Sequence, residues 1–499
     1  MGIATSAVAA AVPAHAVVGE EAQPGSYAFT ARLTIGDGAR GCSAALVEQQ
    51  WLLTAASCFA DNPPQSFKVS AGAPKMKATA AIAGNVTDVV QLVPREGRDL
   101  VLAKLAKPVT GVTPVAISRT SPVQGEELHV TGFGRTKDEW VPDAAHHASF
   151  TVGPIKDTSI GLTGKEADAV ICQGDTGGPA FREVAGRQEL VGINSRSWQG
   201  GCFGTDPAET RKGALDTRVD DLGSWIAGRL LLGQTLVTAG DYDRDGVADL
   251  FSVNSSRELS VSYGRKGGGF DAPRFMSGDW IYDQMVSADF NGDGYLDLIA
   301  RDPREQPEPP KGPGTNALYI WEGTASGTFK PLRRLTSGWN YTQTVAGDFN
   351  GDGKIDLIGI DKDRTPQFRS GKGDGNFTVE ASFPMKWNYT GALAGDFAGD
   401  GVADLMARQD KSVTPANEYK ATLFRWSGVR GDGKTPNFSS KFKMTDGWDY
   451  TQTVAGDFNG DGKIDLIAKD DATGSRYMWL LTGDGDGTFS RPSLIADGS

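Results

Sequence analysis

The chain is short of histidine and cysteine, and it has no long apolar run. Of 499 residues, four are His and four are Cys. Imidazole is the usual side-chain base near neutral pH, so a mechanism that removes a proton has few groups to draw on. His15 lies in an Ala-rich leader, His129 in a strand-like run, and His146 and His147 in a stretch that reads as a loop. Cys42, Cys58, Cys172 and Cys202 all fall in the first half, without the close Cys/His pairs of a zinc site. An even count in an apparently exported chain favours two disulfides. No apolar run reaches the roughly 18–20 residues that a membrane-spanning helix needs. Positive charge is also scarce: 50 Lys and Arg stand against 62 Asp and Glu, a net charge of −12. That deficit argues against nucleic acid and anionic membrane as main partners, and the regular spacing of Asp clusters points to cations.

The length implies two or more domains. Residues 1–16 are small and apolar and end in Ala14-His15-Ala16, an A-x-A-type cleavage signal that lacks a positively charged start. We therefore expect a signal peptide over 1–16 and a secreted, extracellular product. From Val17 to about Leu222 short alternating apolar runs are broken by Gly, Pro and Asp turns, which predicts an all-β domain of barrels or a sandwich. Asp221–Leu232 reads as a helix with an apolar face, and the first domain is expected to span 17–231.

Residues 232–499 repeat. The anchor Asp-x-Asp/Asn-x-Asp-Gly-x-x-Asp-Leu starts at Asp241, Asp289, Asp348 and Asp457, with a variant at Asp396, about every 50 to 60 residues. Trp-x-Tyr segments precede the later loops, at Trp280, Trp339, Trp387 and Trp448, and glycine-rich turns ending in Phe follow. Each unit reads as a blade, and five units predict a propeller of about five blades. The first unit lacks Trp-x-Tyr, so the C-terminal strand is expected to complete the first blade and close the ring. The longer intervals carry Pro303–Thr315 and Gln409–Glu418, which read equally as functional-face insertions or solvated linkers.

Oxygen ligands fall at loop positions 1, 3, 5 and 9: Asp241, Asp243, Asp245, Asp249; Asp289, Asn291, Asp293, Asp297; Asp348, Asn350, Asp352, Asp356; Asp457, Asn459, Asp461, Asp465. The fourth loop has Asp396, Asp400 and Asp404, with Ala398 in place of one ligand. Oxygen-only ligands and Gly at position 6 suit Ca²⁺, and the clustered carboxylates repel one another without a cation. A solvated acidic turn is the plainer alternative, less compatible with five copies. An EF-hand would need a Glu at position 12 and flanking helices.

The stretch Cys172-Gln173-Gly174-Asp175-Thr176-Gly177-Gly178-Pro179, with Thr54-Ala55-Ala56-Ser57-Cys58 and Asp99-Leu100-Val101-Leu102, resembles the active-site motifs of the trypsin/chymotrypsin family of serine proteases. The resemblance covers roughly 17–231 and implies a chymotrypsin-like double β-barrel. It implies disulfides Cys42–Cys58 and Cys172–Cys202, triad positions Ser57, Asp99 and Thr176, and oxyanion N–H groups from Gly174 and Thr176. Val170, Ser195, Arg196 and Ser197 would line the specificity pocket, and the ammonium of Val17 would pair with Asp175. The repeats, with Gly-Asp-Phe-Asn-Gly-Asp-Gly, resemble the FG-GAP family of integrin α-subunit propellers, which implies calcium-stiffened blades and a protein or glycan partner.

The departures direct the reading. The family's His and Ser positions hold Ser57 and Thr176. A hydroxyl does not accept a proton near neutral pH as imidazole does, and the Thr methyl crowds the attack position. Val170 stands where trypsin-like enzymes carry the acid that receives a cationic side chain, so such a substrate has no partner there. The expectation is an inactive protease homologue that binds an extracellular protein, peptide or glycan. The alternative is an active or residual serine-type endopeptidase with Thr176 as nucleophile, aided by water or by His146 or His147.

Overall fold

The computed structural model describes residues 20–23, 25–63, 66–184, 186–304, 316–382, 386–439, 441–470 and 477–497. The leader, Val17 and most of Pro303–Thr315 lie outside the described residues. The chain divides into two compact units, Met1–Gly223 and Ser224–Ser499.

The first unit holds two antiparallel barrels. One closes in the order Thr30–Ile35, Arg40–Glu48, Trp51–Thr54, Val101–Leu105, Asn85–Pro94, Ala78–Ile82. Its strands alternate as the sequence does: in Ala78–Ile82 the first, third and fifth side chains are buried. The other runs Glu127–Gly132, His146–Ile155, Ser159–Gly164, Ala214–Arg218, Arg187–Ser197, Pro179–Val184, and returns to Glu127–Gly132. Its core packs Leu128, Val130, Phe150, Ile160, Leu162 and Val191. His146 and His147 open a strand, not a loop: they pair with Gly132 and Thr131 on one side and with Glu21 and Glu20 on the other. The alternation that runs on through Ala148, Phe150 and Val152 begins at His146, which is itself buried.

The helix expected at the end of the first half is present at Gly223–Leu231. Its Ala227 and Leu231 share a core with Leu236, Leu250, Phe270, Phe458 and Ile467 of the repeats.

The second unit is a five-bladed propeller of four-stranded antiparallel sheets. The innermost strands are Thr235–Gly240, Asp283–Ala288, Tyr341–Gly347, Tyr389–Gly395 and Gln452–Gly456, each packed beside the next. The ring does close, but not through the C-terminal strand. Ser493–Asp497 pairs with Tyr477–Leu481 of its own blade, and every blade is built from contiguous chain. The first blade forms its inner strand without Trp-x-Tyr because Leu232 occupies the place of the tryptophan and is buried as Trp280, Trp339, Trp387 and Trp448 are. Side chains seal the seam between last and first blades. Gln452 Oε1 accepts Leu236 N–H at 3.0 Å and Lys469 Nζ donates to Gln234 O at 2.5 Å. Arg301 and Arg408 make the matching bonds to Tyr341 O and Tyr450 O across other blade boundaries.

Candidate functional site

In the first unit the site grows from the loop 172–178. Gly174 takes φ +103°, where a Cβ would lie 2.7 Å from Gly134 Cα, so only glycine fits the turn. Gly177 is equally constrained: at φ +87° its Cβ would lie 2.0 Å from Thr54 Oγ1. Backbone bonds fix the loop on both sides, Gly177 N–H to Asn194 O at 2.7 Å and Ser43 N–H to Thr176 O at 2.9 Å. Ser43 Oγ also donates to Gly174 O and accepts from Phe133 N–H, both at 2.9 Å. Nothing in the sequence had singled out Ser43. Among the described residues, no bond engages the N–H groups of Gly174 and Thr176. The disulfides Cys42–Cys58 and Cys172–Cys202 are both formed.

Asp99 is buried, and its carboxylate is fully occupied. Oδ1 accepts Ser57 N–H at 2.7 Å; Oδ2 accepts Ser57 Oγ at 3.0 Å and Ser195 Oγ at 2.7 Å. Three donors hold the carboxylate in place. The group it orients is a hydroxyl. Among the described residues no nitrogen base bonds to Asp99 or Thr176, and His147 lies against Tyr27.

Asp175 is buried with Oδ1 accepting Gly134 N–H and Oδ2 accepting Cys172 N–H, each at 2.8 Å. Desolvation pushes its pKa up to about 7, against the pull of those two N–H groups. In the pocket region Val170 is buried with Cys172 and Cys202, and Arg196 is exposed. Ser197 Oγ donates to Ile171 O, which ties together the two chain segments that flank the pocket. The sequence reading passed over two residues nearby, Asn194 and Asp216. Both are buried beside the loop, and both have oxygens without a donor. An acid at an inward position of Ala214–Arg218 was the signal available.

In the second unit the acidic loops share one construction. The carboxylate at position 9 opens the second strand of its blade. Its Oδ1 accepts a glycine N–H from the adjoining turn, as Asp249 does from Gly264 and Asp297 from Gly323, each at 2.8 Å. Its Oδ2 accepts the N–H of position 2, from Tyr242, Phe290, Phe349 and Phe458 in four loops. The carboxylate at position 1 accepts N–H groups from the rest of the loop, as Asp348 does from Gly351, Asp352 and Gly353. Burial raises position 9 above the ordinary carboxylate range, to about 7 at Asp249 and Asp356 and about 6 at Asp297, Asp404 and Asp465; neighbouring loop carboxylates push the same way. One oxygen from each of Asp241, Asp243 and Asp249 lies within 4.8 Å of the others. The second, third and fifth loops put Asn291, Asn350 and Asn459 at position 3, one carboxylate fewer. Converging hard oxygens around a glycine turn suit Ca²⁺. The fourth loop departs in backbone as well as in Ala398: Phe397 N–H donates to Gly395 O, and Asp404 Oδ2, buried, has no donor.

A double barrel with this loop and this carboxylate, followed by a propeller with acidic loops, defines a two-part all-β class of protein. Residues 16–226 match the trypsin family model. Residues 241–300, 311–359 and 348–407 match the FG-GAP-like repeat, and 283–321 the FG-GAP repeat. The chain is thus a trypsin-like domain joined to FG-GAP repeats. Among curated proteins, it is 27% identical over 227 residues to "Platelet-aggregating proteinase PA-BJ" of Bothrops jararaca, covering 40% of this chain and 86% of that relative. It is also 27% identical over 218 residues to "Chymotrypsin-like elastase family member 1" of Macaca fascicularis, covering 37% of this chain and 77% of that relative. No described helix is long and apolar enough to cross a membrane.

Proposed function

We propose that the protein is an extracellular binding protein whose trypsin-like domain holds peptide without cutting it, and whose propeller binds Ca²⁺ and a protein or glycan. The observation that carries this reading is at Asp99, where the hydroxyls of Ser57 and Ser195 take the carboxylate and, among the described residues, no basic nitrogen follows. Hydrolysis of an amide needs a base to take the nucleophile's proton and return it to the leaving amine. Ser57 has none to offer at neutral pH. The Gly174 and Thr176 N–H groups remain available to a bound carbonyl, so the cleft keeps a means of binding a peptide backbone. The two disulfides support an oxidising destination. Calcium would be held by the carboxylates and amides at positions 1, 3, 5 and 9, and would neutralise their mutual repulsion.

A mixed peptide library read by mass spectrometry, with calcium and with chelator, tests the catalytic half of the reading. The expected outcome is no cleavage by the natural chain. Cleavage at ordinary protease rates that disappears in Thr176→Ala would overturn it and establish Thr176 as a nucleophile.

A further inference from the structure

The propeller repeats one device beside its inner strands, and the fourth blade departs from it. Trp339 Nε1 donates to Thr344 Oγ1 at 3.0 Å, and Trp448 Nε1 donates to Thr453 Oγ1 at 3.3 Å. In each, the acceptor stands five residues after the tryptophan. In the second blade that position is Met285, which packs in the same core as Trp280. In the fourth it is Ala392, which has neither a hydroxyl nor the bulk to fill the place. Trp387 is 3% exposed, and its Nε1 has no acceptor among the described residues. A buried N–H without an acceptor is a costly exception.

Space lies where the hydroxyl is missing. Trp387 and Ala392 line a recess of about 40 Å³ between the third and fourth blades. Its other walls are apolar: Val345, Ile358 and Ile360 from the third blade and Leu405 and Trp426 from the fourth, all buried. The inner strands of all five blades ring a central channel of about 550 Å³. Val345 and Ala392 line both, so the recess adjoins the channel. The channel wall carries hydroxyls and amides, among them Thr238, Ser287 and Gln343. Among the described residues, its one charged side chain is Asp283, which Arg301 neutralises through bonds of 2.8 and 2.6 Å.

We infer that the recess takes the acetyl end of a small neutral ligand, whose remainder lies in the channel. One water needs about 10–15 Å³, so the recess has room for about three heavy atoms, the size of an acetyl group. The carbonyl oxygen accepts the Trp387 N–H, and the methyl suits the aliphatic wall. A water would find one donor there, where a held water needs about two to four partners. A hydrocarbon would leave the N–H unmet, and an ion would lose its hydration to an apolar wall. None of these residues belongs to the calcium loops or to the trypsin-like domain, so the site goes beyond the reading proposed above.

The test uses the full chain in calcium, with its tryptophans labelled with heavy nitrogen for magnetic resonance. The indole signal lost in Trp387→Phe is that of Trp387. The probe is butanone, and the control is its methylene analogue, the same shape with CH₂ in place of oxygen, at matched concentrations. The expected result is a saturable downfield shift of the Trp387 indole N–H with the ketone, and binding of the alkene weaker by about tenfold or more. Ala392→Thr installs the residue of the third and fifth blades, which fills the recess and supplies the acceptor. It should weaken ketone binding by about tenfold or more. An unmoved Trp387 signal would mean that water or the fold already meets the N–H, and overturns the proposal. An equal response to ketone and alkene, or an affinity unchanged in Ala392→Thr, overturns it as well. Should Ala392→Thr fail to fold, Trp387→Phe decides by calorimetry. That variant loses the donor, so it should bind ketone and alkene alike; a ketone still preferred overturns the proposal.

Discussion

Asp175 in the first unit and Asp249 in the second are both buried, both accept backbone N–H groups on each oxygen, and both are pushed up to about 7 by desolvation. They differ in company. Asp249 has Asp241 and Asp243 within reach, while Asp175 has no second carboxylate among its perturbing neighbours. A lone buried carboxylate is satisfied by the fold that encloses it. A cluster of them is not, because each added charge raises the cost of the others until a cation arrives. The same contrast separates the two halves. In the first, the network around the loop 172–178 is made of backbone N–H groups and hydroxyls, so it persists without a catalytic base. In the second, the clustered loop carboxylates would be relieved by an added cation, as proposed above.

The largest expected effect follows from that dependence. Calcium at a thousand times its dissociation constant stabilises by about 4 kcal/mol at each filled site. Chelator should therefore lower the melting transition of the second half by tens of degrees and leave the first half in place. Scanning calorimetry of the full chain with and without calcium reads both transitions. Equal shifts in the two would break the comparison, and no shift would remove structural calcium. Ala398→Asp sharpens it: restoring position 3 in the fourth loop should increase the calcium-dependent shift.

Much of this was legible in the chain. The repeats declared themselves through the spacing of Asp, Gly and Trp, because a blade needs the same few residues each time. The loop 172–178 was equally plain, since its glycines have no substitute. Closure of the ring was misread because the first blade uses Leu232 in place of a tryptophan; burial, not aromaticity, was the requirement. His146 and His147 were misread as loop because two polar letters hid the start of an alternating strand. Asp216 went unnoticed for a different reason. Whether a buried acid has a partner depends on residues 22 and more positions away in sequence, such as Asn194, and no local pattern reports that.

A smaller effect, of opposite sign, is expected at Asp216. With no donor on either oxygen among the described residues, the buried Asp216 bears its desolvation unrelieved. Asp216→Val keeps a strand former at the position and removes the orphaned acceptors. It should raise the stability of the first half by about 1–2 kcal/mol, seen as a higher melting transition for that half in calcium. A lower transition would mean that Asp216 has a partner that stabilises it.

A further effect is a slope with pH, and its sign reports on the N-terminus. With residues ahead of Val17 attached, Asp175 keeps its proton in the folded state up to about pH 7, whereas the unfolded chain releases it near the ordinary value of about 4. Between those limits the folded state binds more protons, so rising pH favours unfolding. The contribution is complete below the unfolded value and is lost as pH climbs through the folded one. Cleavage after Ala16 would place an ammonium at Val17; if it pairs with Asp175, the folded pKa falls below the unfolded value and the slope reverses, with stability lost as pH drops. Melting curves of the uncleaved and cleaved chains between pH 4.5 and 7.5, in saturating calcium, distinguish the cases. Asp175→Asn, which has no proton to exchange, should flatten either slope. Identical falling slopes in both forms would mean that Val17 does not reach Asp175.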